Sequence, residues 1–205
     1  GALLTDRFGS LLAAHLEAVY VHIASARIDL LTTLAAAELD DAGAASYRFY
    51  IDGTSAPALE PGDTASIGSG IFFTGGLGLV LQPMADTVLA MVKSVDDSTT
   101  VVLDINCRPK VVGDRAAYLD RVNQLLKRAD IVKVSDDDLA YLSPGMGVLD
   151  AAHQLGAVGG AAVLVTAGAS MTSIVTGGSV TEVPVAPLDS PVVDSIGAGD
   201  TFGGA

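Results

Sequence analysis

Tryptophan is absent from the 205 residues, Phe and Tyr number five each, and there is a single cysteine, Cys107. One thiol excludes an intrachain disulfide framework and a cysteine-rich zinc site. It fits a reducing compartment, and the expected location is the cytoplasm. Cationic residues are also scarce, with 11 Lys and Arg against 24 Asp and Glu and a formal net charge of −13. Such a chain lacks a clustered basic face to neutralise phosphates, so nucleic acid is excluded as a partner. His15, His22 and His153 show no metal-ligand spacing. The first residues carry no basic segment followed by a long apolar run, so no signal peptide is read. Residues 64–85 and 151–181 contain no Lys, Arg, Asp or Glu. Gly, Ser and Thr interrupt both, as they do between short buried strands, and no membrane partner is expected.

What is present is apolar but small. Half of the residues are hydrophobic while aromatics make up 5%, and glycines number 23. A core of Ala, Val and Leu of this extent describes an α/β protein, and the length suits one domain. Phe8, Leu11, Leu12 and Leu16 recur at helix spacing behind Asp6 and Arg7. Residues 30–40 are helical by propensity, because Ala35, Ala36 and Ala37 favour it. Tyr47-Arg48-Phe49-Tyr50-Ile51 alternates as a strand, and if it pairs with its predecessor residues 32–39 are a strand instead of a helix.

From Ile71 onward strands and helices alternate. Ile71-Phe72-Phe73, Val101-Val102-Leu103, Ile131-Val132-Lys133-Val134 and residues 161–166 read as strands. Helices are expected after Pro83, over residues 115–127 with Ala116, Leu119, Val122, Leu125 and Leu126 on one face, over 136–142 and over 147–155. A hairpin is expected through residues 173–180. This rhythm predicts a mostly parallel, Rossmann-type sheet with helices on its faces. Ligands of such sheets lie beyond the carboxyl ends of the strands, which singles out Asp104, Ser135 and Thr166.

The last residues carry the chemistry. Gly197-Ala198-Gly199 forms a small-residue turn before an expected helix with Asp200 in its first turn. Small side chains let backbone N–H groups approach an anion, and a neighbouring carboxylate can take a proton from an attacking hydroxyl. Together these are the parts that phosphoryl transfer to an alcohol requires. The same residues also describe a plain helix cap. They match neither a Walker A loop nor the dinucleotide fingerprint.

The segment from Asp194 through Ser195-Ile196-Gly197-Ala198-Gly199 to Asp200 resembles the Asp-Thr-x-Gly-Ala-Gly-Asp signature of the PfkB, or ribokinase-like, carbohydrate kinases. Thr5-Asp6-Arg7-Phe8-Gly9 resembles that family's Asp-x-Phe-Gly segment. Asp104-Ile105-Asn106-Cys107-Arg108 is similar to the Asp-x-Asn-x-Arg of its fructokinase-like members. Lys133-Val134-Ser135 through Asp138 stands where Lys-x-Asn-x-x-Glu is common, and Thr166-Ala167-Gly168 resembles its Thr-x-Gly. The resemblance implies a ribokinase-like α/β domain over residues 1–205, incomplete at both ends, with a β-hairpin lid at about 28–56 that overrides the helix propensity there.

It also implies an ATP-dependent sugar kinase, fructose being the first candidate acceptor. 2-Keto-3-deoxygluconate, ribose, a nucleoside, or a non-catalytic sugar- or nucleotide-binding role are the alternatives. By resemblance Asp200 is the base, and Gly197, Ala198 and Gly199 form the anion hole. Asn106 and Arg108 face the substrate, while Lys133, Ser135, Thr166 and Gly168 border the nucleotide. Asp138 acts on Mg2+ through water, and Asp194 with the Ile196 carbonyl holds K+. A homodimer through the hairpin follows from relatives. Taken alone, Lys133 is a solvated strand-end charge, and Asp136, Asp137 and Asp138 are an acidic helix start. Cys107 reads as a small buried hydrophobe.

Overall fold

The structure, a computed structural model, describes residues 1–25, 27–39, 45–63, 69–190 and 192–205. The chain divides into two compact units, Gly1–Ala65 with Pro187–Ala205, and Ser66–Ala186.

The first unit opens with β1 (Leu3–Leu4), which pairs in parallel with β2 (Arg27–Ile28). Helix α1 (Arg7–Ala18) lies between them in sequence. It starts where it does because the Asp6 carboxylate accepts the Gly9 N–H at 2.7 Å. Its buried positions are Gly9 and Ala13, whereas Phe8, Leu11 and Leu12 of the expected stripe are exposed. Strands β3 (Leu34–Leu39) and β4 (Ala45–Tyr50) pair antiparallel, Leu34 opposite Tyr50 and Leu39 opposite Ala45. The three-alanine run is therefore a strand, and cross-strand pairing has overridden helix propensity. The turn expected at residues 41–43 lies outside the described residues.

The base of this ribbon is tied down where the chain enters and leaves it. The Asp6 carboxylate accepts the Thr32 hydroxyl at 2.6 Å and the Thr32 N–H at 3.0 Å. Beyond the ribbon, Thr33 and Thr54 hydroxyls lie 2.6 Å apart, and the Ala56 N–H donates to Thr33 Oγ1. Asp6 is accordingly held below the usual carboxylate range, the Thr32 hydroxyl contributing most and the Gly9 and Thr32 amides adding to it.

The second unit is a six-stranded sheet in the order β10-β9-β8-β7-β6-β5. Strands β5 (Ile71–Gly75), β6 (Thr100–Asp104), β7 (Ile131–Ser135) and β8 (Ala162–Thr166) run parallel. β9 (Thr172–Thr176) and β10 (Ser179–Val183) continue it antiparallel as the expected hairpin. Crossovers are made by α2 (Met84–Ser94), α3 (Arg115–Leu126), α4 (Asp136–Leu142) and α5 (Val148–Gly159). Val101, Leu103, Val132, Val134, Val163 and Val165 are buried sheet residues, and Val122, Leu125, Leu126, Leu139 and Ala152 cover them from the helices. Helix α3 turns further than its pattern suggests, burying Tyr118 and exposing Ala116. Among the described residues no helix is long and apolar enough to cross a membrane. The uncharged stretch from 151 to 181 is divided among α5, β8, β9 and the start of β10.

Candidate active site

Sequence register carries most of the candidate residues of the second unit to one edge of the sheet. Asp104 ends β6 and lies opposite Lys133 of β7, and Ser135 ends β7 opposite Thr166 of β8. These are the carboxyl ends of parallel strands. Close approach of the outer pair depends on Gly75, where a Cβ would run into the Asp104 carbonyl.

At the centre of this edge is a buried ion pair. Lys133 Nζ lies 3.1 Å from Asp104 Oδ1 and 3.3 Å from Oδ2. Asp104 is 3% exposed and Lys133 5%. The resemblance places the lysine beside nucleotide phosphates. The structure gives its ammonium a carboxylate on the neighbouring strand, because both residues face the same side of paired strands at the same level.

The chain leaving β6 bends at Asn106, whose φ of +40° is left-handed. Asparagine tolerates this better than most residues. The Arg108 guanidinium then folds back over its own segment. Its Nη1 donates to Asn106 Oδ1 at 2.6 Å and to the Cys107 carbonyl at 2.9 Å. Between them the Cys107 N–H donates to Asp138 Oδ1 at 2.7 Å. The other oxygen, Oδ2, accepts the Ser135 N–H at 3.0 Å, and the Ser135 hydroxyl accepts the Asp138 N–H at 3.0 Å. Ser135 and Asp138 thus form a capping box that starts α4 at Asp136. Asp138 is 6% exposed.

Cys107 itself is buried, with its sulfur 3.2 Å from the Tyr118 hydroxyl. Burial pushes its thiol up to about 12, and the Asp138 charge acts in the same direction while the Tyr118 hydrogen bond opposes it. Burial likewise raises the Tyr118 phenol. A thiol so disfavoured as thiolate is no nucleophile at neutral pH. Iodoacetamide at pH 8 is therefore expected to label Cys107 only on unfolding. Mass spectrometry with and without urea measures this, and rapid labelling of the native chain contradicts it.

Past β8, Gly168 has a φ of +53° and the Ser170 N–H closes onto the Ala167 carbonyl at 2.9 Å. This turn holds Thr166 and Gly168 at the end of the strand next to Ser135. The sheet edge therefore assembles Asn106, Arg108, Lys133, Ser135, Asp138, Thr166 and Gly168. The remaining candidates belong to the other unit.

There the Ile196 N–H donates to Asp194 Oδ1 at 2.9 Å, an Asx turn that leads into α6 (Ala198–Gly204). Gly197 caps this helix with a φ of +78°, which a residue with a Cβ adopts only with strain. The Ala198 N–H closes a turn onto the Ser195 carbonyl at 3.3 Å, and the first helical bond runs from Thr201 N–H to the Gly197 carbonyl. The amides of Gly199 and Asp200 precede it, so they have no helical acceptor. Asp200 is exposed in this first turn. Among the described residues no cluster of three or more His, Cys, Asp or Glu is arranged for a metal.

The family model for pfkB family carbohydrate kinases matches residues 1–205. The chain belongs to that family. Fructokinase of Rhizobium leguminosarum bv. trifolii is 32% identical over 163 residues, which are 78% of this chain and 49% of that protein. Aminoimidazole riboside kinase from Salmonella enterica, solved with aminoimidazole riboside and an ATP analog, superposes with a TM-score of 0.87 at 24% identity. A fructokinase double mutant from Vibrio cholerae O395, solved with fructose, ADP and potassium ion, gives 0.87 at 24%. In both, all of this chain matches 67% of the solved one. The chain thus spans about half to two thirds of the length of these kinases, and its fold is the ribokinase-like α/β fold expected from the sequence.

Two partners at this site carried no specific sequence signal. Asp104 was legible as a strand end, but not as the counter-ion of Lys133, 29 positions away. Tyr118, the neighbour of Cys107, lay off the predicted face of α3. The Ser135-x-x-Asp138 spacing, by contrast, is the sequence signature of the box that forms.

Proposed function

We propose that this chain carries the phosphoryl-transfer site of an ATP-dependent sugar kinase whose acceptor is fructose. The observation that carries the reading is the family match over residues 1–205, together with 32% identity to a fructokinase. The Gly197–Asp200 turn is where that family's signature falls. Asp200 takes the proton of the acceptor hydroxyl as its oxygen attacks the γ-phosphorus. The bond from the γ-phosphorus to the β–γ bridging oxygen breaks, and ADP leaves. The amides of Gly197 and Gly199 face the charge gathering on the transferred group, the arrangement that lowers such barriers, whereas the Ala198 N–H is turned onto the Ser195 carbonyl. Asn106 and Arg108 orient the acceptor, and Ser135, Thr166 and Gly168 border the nucleotide.

The Asp194 carboxylate and the Ile196 carbonyl are hard oxygen donors of the kind a monovalent cation takes, and potassium accompanies fructose and ADP in the Vibrio cholerae relative. ATP carries magnesium into such sites. Each oxygen of Asp138 accepts a backbone N–H, which gives this carboxylate a structural task at the sheet edge. An aminoimidazole riboside acceptor is the second reading, since a kinase for it is 29% identical over 134 residues.

The test is ADP release from ATP with magnesium and potassium across fructose, ribose, 2-keto-3-deoxygluconate and aminoimidazole riboside. Fructose-dependent release is the expected result. Release with the riboside alone transfers the assignment to the second reading. ATP binding without release on any acceptor overturns the kinase function of this chain.

A further inference from the structure

We infer that Asp138 acts as a positioning residue, which clamps the Asn106–Arg108 segment to the start of α4, and that it takes no part in holding magnesium. The inference rests on the kinase reading only for what Asn106 and Arg108 do.

Each oxygen of the Asp138 carboxylate is engaged inside the protein. Its two oxygens meet two backbone amides from different parts of the sheet edge, Cys107 after β6 and Ser135 after β7. The bond from Cys107 is short at 2.7 Å, that from Ser135 is of ordinary length at 3.0 Å, and the residue is almost wholly out of water. A charge so placed is stabilised by those donors, and turning it toward a hydrated ion would strand two buried N–H groups. Its own backbone is held by the Ser135 hydroxyl, so the short side chain turns toward an ion only at the cost of those two bonds.

What the clamp holds is the strained part of the edge. Asn106 is left-handed, and Cys107, the next residue, is the one whose amide Asp138 grips. Arg108 in turn leans on the Asn106 side chain and the Cys107 carbonyl. Cys107 also anchors the segment inward through Tyr118. Asp138 therefore acts on the acceptor through Asn106 and Arg108.

Asp138→Asn preserves shape but offers one acceptor and one NH2 group to two N–H donors, so one amide loses its partner. Three measurements on the full chain test the proposal. Hydrogen exchange, read by NMR, is expected to quicken about tenfold or more at the Cys107 or Ser135 amide, the scale of one lost buried hydrogen bond. The KM for fructose is expected to rise about tenfold while kcat stays within about twofold, the pattern of lost ground-state positioning. Mn2+ affinity of the ATP-loaded chain, read by electron paramagnetic resonance, is expected to change less than about twofold, because no ligand or water-bridging group is removed.

Asp114→Ala removes the cap of α3, where Asp114 accepts the Ala116 and Ala117 amides. It is the control for general destabilisation and is expected to move none of the three. Asp138→Ala, which strands both amides, should exaggerate the exchange effect where it folds. A tenfold loss of Mn2+ affinity in Asp138→Asn overturns the proposal, and so does unaltered exchange at both amides. Absence of ATP binding by the unsubstituted chain defeats the kinase reading instead, and the exchange result then decides the clamp alone.

Discussion

Asp104→Ala is expected to destabilise the sheet unit by about 3–5 kcal/mol, the cost of leaving one member of a buried ion pair without the other. Lys133 is 5% exposed and its ammonium lies 3.1 Å from the Asp104 carboxylate. Taking the carboxylate away leaves the positive charge in the sheet interior, where desolvation is no longer offset. The size of that loss does not make the pair a source of stability. Joint replacement, Asp104→Leu with Lys133→Met, fills a similar volume with apolar groups and removes both desolvation penalties. It is expected to recover most of the loss, since such exchanges are often neutral or favourable. Urea denaturation of Asp104→Leu, Lys133→Met and the double variant closes the cycle, with Asp104→Ala measured beside them. A single-variant loss below about 1 kcal/mol would show that the charge finds other solvation, because that is the range of exposed pairs. If instead the double variant is no better than the singles, steric fit rather than charge governs the position.

That pair also marks where sequence reasoning reached its limit. Strands β6, β7 and β8 are legible because Val, Ile and Leu run together over stretches too short for helices. α4 is legible because Asp136, Asp137 and Asp138 make an acidic helix start, and the turn before α6 because Gly197 supplies it. The hairpin was legible only through the family resemblance, since Ala35, Ala36 and Ala37 favour helix and it is pairing with residues 45–50 that makes them extended. Register across strands is different in kind. Nothing local to Lys133 tells a solvated strand end from an ammonium buried against Asp104, because the answer depends on which residue the neighbouring strand sets opposite it. The same holds for Asp138. Its place among three acidic residues announces a helix start, but its bond to Cys107 is set by how the chain leaves β6. Helix α1 shows the reverse failure, with an apolar periodicity that predicts burial for Phe8, Leu11 and Leu12 while the helix buries its small face at Gly9 and Ala13.

Asp200→Asn is expected to reduce fructose-dependent turnover by about 10²–10⁴-fold, the usual contribution of a positioned general base. The amide has the shape of the carboxylate and keeps an acceptor for a hydroxyl, but it cannot take the proton that must leave as the phosphorus–oxygen bond forms. Because Asp200 is exposed in the first turn of α6, its replacement should leave folding unaffected. ATP affinity should also hold, since the residues proposed to border the nucleotide, Ser135, Thr166 and Gly168, are unchanged. The diagnostic pattern is therefore lost kcat with retained ATP dissociation constant and retained melting temperature. Turnover comparable to that of the unsubstituted chain removes Asp200 as the base. A parallel fall in ATP affinity would instead place its charge on the nucleotide side, where an added neutral amide alters phosphate or cation binding rather than proton transfer.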